Sequence, residues 1–174
     1  MPIYLLCGLA FAGKSTLARE ISAQTKADIV SLDAINERRG LRGGLGIPES
    51  EWAESHRIAL HETEASLSRG AAVVVDDTNC YRFLRDDYRA LARRLGSECV
   101  LIVVDTSLAV TSERLRNNEA TSTRHPVTPA VLTDLAARFE PPRADEPHLT
   151  LFPDEDVSSW VASHLKPDAS RRVG

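Results

Sequence analysis

The sequence has little from which to build a cross-linked or membrane-embedded structure. Three cysteines, Cys7, Cys80 and Cys99, occur among 174 residues. They are odd in number and form no Cys-x-x-Cys pair, so reduced, mostly buried thiols in a cytoplasmic chain are expected rather than a disulfide framework. No apolar run approaches the ~20 residues that a membrane span needs. The start, MPIYLLCG, lacks the positive charge and the apolar length of a secretory leader. An excess of positive charge is also missing: 21 Lys and Arg stand against 25 Asp and Glu, a net charge of −4. That balance argues against a dedicated nucleic-acid binder, whose footprint is usually basic, while leaving room for a local basic groove. No repeats occur in the sequence, and no second domain is expected.

What is present is an ordinary globular balance, 43% hydrophobic and 26% charged. The length suits one domain with a sizeable core, expected over residues 1–166, with a flexible polar tail at 167–174. Four apolar runs, 3–7, 28–32, 72–76 and 99–104, are rich in Val, Ile and Leu and lack polar alternation, as parallel strands covered on both faces do. Helical patterns cover 14–24, 49–68 and 82–95, and a further pair covers 108–118 and 129–138. Thr128 and Pro129 supply an N-cap and a proline at the first helical position. A weaker fifth strand is expected at 148–152. The alternation predicts an α/β fold: a parallel sheet of about five strands between helices, with right-handed crossovers. Two segments break the rhythm. RRGLRGGLGIP, 38–48, is too glycine-rich for a packed element. NNEATSTRHPVT, 117–128, is a polar break between two helices, and with its flanks it suggests a short helical lid at about 112–130.

The first strand ends in Gly8-Leu9-Ala10-Phe11-Ala12-Gly13-Lys14-Ser15, which fits G-x-x-x-x-G-K-[ST]. The glycines let successive backbone N–H groups turn toward phosphate oxygens, and the helix that follows adds its positive end. Lys14 reaches the β- and γ-phosphates, and the Ser15 hydroxyl is offered to Mg²⁺. At average residue usage the pattern arises by chance in a chain of this length about 0.6% of the time. Residues 8–16, Thr16 included, are therefore the expected phosphate site of a P-loop NTPase fold. No Asn-Lys-x-Asp guanine reader occurs, which favours ATP over GTP.

Carboxylates close the next two strands. Asp33 follows the second, where ligands of parallel sheets collect. A carboxylate there can accept the proton of an attacking hydroxyl or of water, or else simply cap a helix. Asp76 and Asp77 follow the third, and Asp77 is preferred over Asp76 as the second Mg²⁺ contact. Arg114, Arg116 and Arg124 surround the polar break and are candidates to neutralise charge on a transferring phosphoryl group, with Arg114 also placed on the nucleotide. Arg85, in the helix after the third strand, is a further candidate. His56 and His61 are five apart, off the one-face spacing of helical metal ligands, and suit surface or packing roles. Trp52 suits packing, with stacking on a substrate as the alternative.

In this order, GLAFAGKSTLARE, SLD, DDTN and an arginine-bearing lid resemble a P-loop kinase of the polynucleotide 5′-hydroxyl kinase-like group, an AAA-domain-like ATPase. DDTNCYRFLR, 76–85, and RFEPPRADEPHLTLF, 138–152, are similar to stretches of the O-phosphoseryl-tRNA kinase family and its Elongator-associated relative. The resemblance implies an ATP- and Mg²⁺-dependent phosphotransferase in which Asp33 is the general base and Asp77 the acid near the metal. The acceptor would be a hydroxyl of a small molecule, preferred over RNA. The alternative is a nucleotide-dependent switch factor acting on a partner. The polynucleotide kinases carry arginine three residues after the base, to hold a substrate phosphate; here that position is Asn36. Their second lid arginine falls on Asn118 or Ala120, so Arg124 would replace it. In small-molecule kinases of this scaffold, such as those similar to chloramphenicol phosphotransferase, the acceptor pocket would be lined here by residues 38–55.

Overall fold

The computed structural model describes residues 1–41, 47–121 and 128–165. Five strands form one parallel sheet: β1 (Ile3–Cys7), β2 (Asp28–Ser31), β3 (Val73–Asp76), β4 (Cys99–Val104) and β5 (His148–Leu151), in the order β2-β3-β1-β4-β5. β1 is central, with Ile3 aligned to Val73 on one side and to Cys99 on the other. Among the described residues, seven helices connect and cover the strands: α1 (Lys14–Thr25), α2 (Leu32–Arg38), α3 (Glu49–Ser68), α4 (Arg82–Arg94), α5 (Leu108–Thr121), α6 (Pro129–Arg138) and α7 (Val157–His164).

Strand alternation divides the core in two. Ile3, Leu5 and Cys7 of β1, with Val73 and Val75, point toward Ile35, Ala59, Leu67, Tyr88 and Leu91 of α2, α3 and α4. Tyr4 and Leu6, with Val74 and Ile102, point toward Leu17, Ala18 and Ile21 of α1 and Trp160 and Val161 of α7. Both faces are covered, so β1 and β4 at the centre of the sheet carry apolar residues at every position. All three cysteines are free thiols, and burial raises Cys7 to about 12 and Cys99 to about 11. Trp52 packs against the core beneath α3. His56 packs edge-on to Tyr88 and lies 2.9 Å from the Asp87 carboxylate.

Two helices depart from the sequence expectation. The chain turns helical directly after β2: the Ser31 hydroxyl accepts from the Ala34 N–H, and α2 runs through Arg38, so the start of the glycine-rich segment is helical. α7 begins at the Asp156 cap, whose side chain accepts from the Ser159 N–H. It packs on α1, where Gln24 Nε2 donates to the Ser158 carbonyl at 3.0 Å. The expected tail at 167–174, the middle of the glycine-rich loop and Arg124 lie outside the described residues.

Candidate nucleotide and acceptor site

The carboxyl ends of β1, β2 and β3 converge on one edge of the sheet, and the loop of residues 8–13 sits there between β1 and α1. Its two glycines are dictated by geometry. Gly8 has φ +150, and a Cβ on it would stand 2.8 Å from the Val104 carbonyl oxygen of β4. Gly13 has φ +113 and takes the N-cap position of α1 with no side-chain cap. The first N–H groups of a helix have no partner inside it, so Gly13 leaves the start of α1, at Lys14 and Ser15, open to an anion. Phe11, at φ 62, gives the loop its left-handed turn.

The loop is braced from behind. The Gly8 N–H donates to the Thr78 carbonyl at 3.1 Å, and the buried Thr106 hydroxyl donates to the Ala12 carbonyl at 3.1 Å. Arg114 Nη1 reaches from α5 to the carbonyls of Phe11 and Ala12, at 3.1 and 2.9 Å. Lys14 is buried, and its ammonium donates to the carbonyls of Gly8 (3.0 Å) and Leu9 (2.6 Å). Burial lowers its pKa, while the carboxylates of Asp76, Asp77 and Asp33 oppose that shift. Gly8, Leu9, Ala10, Phe11, Ala12, Gly13, Lys14, Ser15 and Thr16 thus form one continuous turn into α1. Its constrained glycines and uncapped helix start suit a polyphosphate.

Beside it lies a cavity of about 330 Å³ lined by Ser15, Ala18 and Arg19 of α1, Ile29 and Ser31 of β2, Asp33, Ala34 and Glu37 of α2, and Asp76 of β3. Asp33 stands in the first turn of α2, one residue inside the helix. It is therefore a helical residue presented at a β-strand exit, where the sequence suggested a strand-end carboxylate. The lining comes from α1, β2, α2 and β3; of residues 38–55, expected to line an acceptor pocket, the described ones, 38–41 and 47–55, do not contribute. Ser15, Asp33 and Asp76 meet in this one cavity.

The paired aspartates stand in different surroundings. Asp76 lines the cavity and heads the carboxylates acting on Lys14. Asp77 is held at the turn, where its carboxylate accepts from the Thr78 hydroxyl at 3.4 Å and from the backbone N–H groups of Thr78 and Asn79. Burial raises its pKa against those bonds and against Lys14. The Ser15 hydroxyl and the Asp76 carboxylate, two oxygen donors of the kind a hard divalent cation takes, both line this one space.

Arg85 is placed elsewhere than expected. It is 0% exposed, and its Nε and Nη2 form two 2.9 Å bonds to the Glu146 carboxylate. Its Nη1 donates to the Asn79 carbonyl at 2.9 Å, so each of its three nitrogens is bonded within the protein and the side chain is fully buried. Arg89 also bonds Glu146, and Arg82 holds Asp145 at 2.7 Å while its N–H donates to Glu140. The two stretches 76–85 and 138–152 are thus partners across the fold. Those carboxylates escape sequence reasoning, because Glu146 is 61 residues from Arg85. Arg116 is exposed on α5, two residues from Arg114, a spacing that faces the two side chains apart. Asn36 is buried and accepts from the Ser55 hydroxyl, which in turn accepts from Arg39 at 2.6 Å. Arg38 and Arg39 pair with Glu62 and Glu51. Arg19 and Glu37 were not singled out in the sequence; each lies four residues after a motif residue, Ser15 and Asp33, and that spacing is the signal for them.

Solved structures with this shape include Kti12 from Chaetomium thermophilum in complex with ADP-AlF3, with 15% identity and a TM-score of 0.74 over 95% of this chain and 100% of that one. APS kinase CysC from Mycobacterium tuberculosis, in complex with AMPPNP and APS, has 19% identity and a TM-score of 0.69 over 93% and 94%. A gluconokinase from Sinorhizobium meliloti has 17% identity and a TM-score of 0.65 over 92% and 87%. At these identities the likeness concerns the fold, that of a P-loop NTPase. No curated protein matches the chain by sequence. Residues 3–142 match the model of the AAA domain family, and the chain belongs to that family.

Proposed function

We propose that the chain is a kinase that transfers the γ-phosphoryl group of ATP to a hydroxyl of a small molecule. The observation that carries this reading is the single cavity in which Ser15 of the phosphate loop, Asp33 and Asp76 meet. A bound Mg²⁺ would be held by Ser15 and Asp76 and would neutralise charge on the phosphate oxygens. The loop N–H groups and Lys14 hold the phosphates, Lys14 leaving its carbonyl partners to do so. Asp33 accepts the proton of the acceptor hydroxyl as its oxygen bonds to the γ-phosphorus. The bond from that phosphorus to the bridging oxygen breaks, and its electrons leave with ADP. Arg114 braces the loop, and Arg116 and Arg124 are assigned to the transferring group as a proposal from the sequence alone. Most of the acceleration comes from positioning and electrostatics. Kti12, APS kinase and gluconokinase support the reading, since two of them are kinases and two were solved with a nucleotide analogue or ADP-AlF3.

A second reading, an ATP-hydrolysing switch factor, uses the same loop with Asp33 orienting water. Stoichiometry separates the two. With γ-labelled ATP, Mg²⁺ and a small-molecule cell extract, a kinase yields one labelled acceptor per ADP, lost in Asp33→Asn. Label recovered only as free phosphate would overturn the kinase reading.

A further inference from the structure

The turn after β3 carries a buried residue that the proposed reaction does not use. β1 and β3 run in register as far as Leu5 and Val75. Beyond that pair they are joined by bonds from residues 78 and 79. The Gly8 N–H donates to the Thr78 carbonyl at 3.1 Å, and Asn79 Nδ2 donates to the Leu6 carbonyl at 2.8 Å. Asn79 is 0% exposed. Its own carbonyl accepts from Arg85 Nη1 at 2.9 Å and from the Cys7 thiol at 3.5 Å, and its N–H donates to the Asp77 carboxylate. One residue thus joins the end of β1, the Asp77 carboxylate and the buried Arg85–Glu146 pair.

Two features set Asn79 apart from a packing residue. Its φ is 42, in the left-handed region that few side chains adopt and that Asn tolerates better than most. Glycine would take that backbone freely, but it has no amide to reach Leu6. Among the described residues, Asn79 Oδ1 is also the one buried side-chain polar atom without a hydrogen-bond partner, which costs stability. Resting on the reading of residues 8–16 as the phosphate site, we propose that Asn79 is a positioning residue for the nucleotide: its amide fixes the end of β1 against the turn, so that the phosphate loop leaves Gly8 already shaped for its ligand. Arg85 and Glu146 act one step further back, by holding the Asn79 carbonyl and with it the turn. A loop ordered beforehand binds more tightly, because the ligand does not have to order it. The Asn79 side chain acts on the phosphates and not on the metal, since it bonds β1, whereas Asp77 is held through backbone N–H groups.

The test is nucleotide binding by Asn79→Gly, which suits the backbone conformation and removes the amide. Affinity for ADP is measured by calorimetric titration with Mg²⁺ and again in EDTA, at a temperature where circular dichroism shows the free variant folded. The expected result is an affinity about tenfold below wild type, by the same factor with and without the metal. Arg85→Lys keeps a cation for Glu146 but has a single nitrogen to divide between it and Asn79. It should lower the affinity in the same metal-independent way, and it carries the test if Asn79→Gly does not fold. A melting temperature that falls while the folded variant keeps the wild-type affinity would overturn the proposal and leave Asn79 a structural residue. A loss seen only with Mg²⁺ would overturn it as well, by placing the effect on Asp77 and the metal. If the wild type fails to bind ADP, or Lys14→Ala binds it equally well, the reading of the phosphate site falls and this inference with it.

Discussion

At the residue scale, the site rests on a few positions with no slack. Gly8 is the sharpest case, because any side chain meets the backbone of β4: the nearest atom, the Val104 carbonyl oxygen, would lie 2.8 Å from a Cβ. Backbone cannot rotate away as a side-chain tip would. Gly8→Ala is expected to lower stability by about 1–3 kcal/mol and to weaken nucleotide binding, both read by denaturant titration with and without Mg·ATP. An unchanged midpoint and affinity would show that β4 yields. The two carboxylates of the reaction separate by experiment as well. Asp33→Asn should keep Mg·ATP binding and lose at least ~100-fold in transfer, as expected for a general base. Asp76→Asn should raise the Mg²⁺ concentration needed for half-maximal rate, and Asp77→Asn should raise it less. The reverse order would return the metal to Asp77, the residue that sequence order favoured. Sequence could not decide between them, since the choice depends on which carboxylate the turn at Thr78 and Asn79 captures.

At the element scale, most of the sheet was legible because strands covered on both faces are written as unbroken apolar runs. Ile3–Cys7 and Cys99–Val104 fall where the runs fall, and the long amphipathic α3 is bounded as its pattern suggests. What was not legible is short or distant. α2 has 7 residues and α7 has 8, about two turns each, too brief for a periodic pattern to stand out. Their caps, Ser31 and Asp156, were the available signals. The pairing of α4 with the segment before β5 depends on contacts across about 60 residues. Those contacts carry a pH prediction. Hydrogen bonds from Arg85, and further ones from Arg89, hold the Glu146 carboxyl at about 2, against an ordinary 4.5. A carboxylate depressed in the folded state contributes stability that is complete above its unfolded value and is lost as pH falls toward the folded one. The contribution, on the order of 3 kcal/mol by linkage, should therefore fade between about pH 4.5 and pH 2. Glu146→Gln should flatten the acid limb of the stability curve across that window. It should also lower stability at pH 7, because Arg85 is left buried without its counter-charge. An acid limb identical in the variant would place the proton uptake elsewhere.

At the scale of the whole molecule, the fold opens the uncapped start of α1 onto one edge of the sheet. The sheet edge, the uncapped start of α1 and the buried ammonium of Lys14 all face the phosphate loop. Those features are held in place by contacts from β4, α5 and the β3 exit, so the loop joins elements from both core clusters. A ligand that satisfies the loop should thus stabilise the molecule as a unit rather than order one segment. Linkage sets the size: at 100 times its dissociation constant, Mg·ATP adds about 2.7 kcal/mol to the folded state. For a domain of this length, 1 kcal/mol moves Tm by about 2–4 °C, so the shift should be about 5–10 °C, seen in a single cooperative transition. Lys14→Ala should abolish most of it, whereas Asp33→Asn, which touches the acceptor side, should keep it. A wild-type shift in the Lys14 variant would mean that the nucleotide sits elsewhere. A shift lost in the Asp33 variant would mean that this carboxylate supports nucleotide binding rather than proton transfer, and the division of labour across the cavity would have to be redrawn.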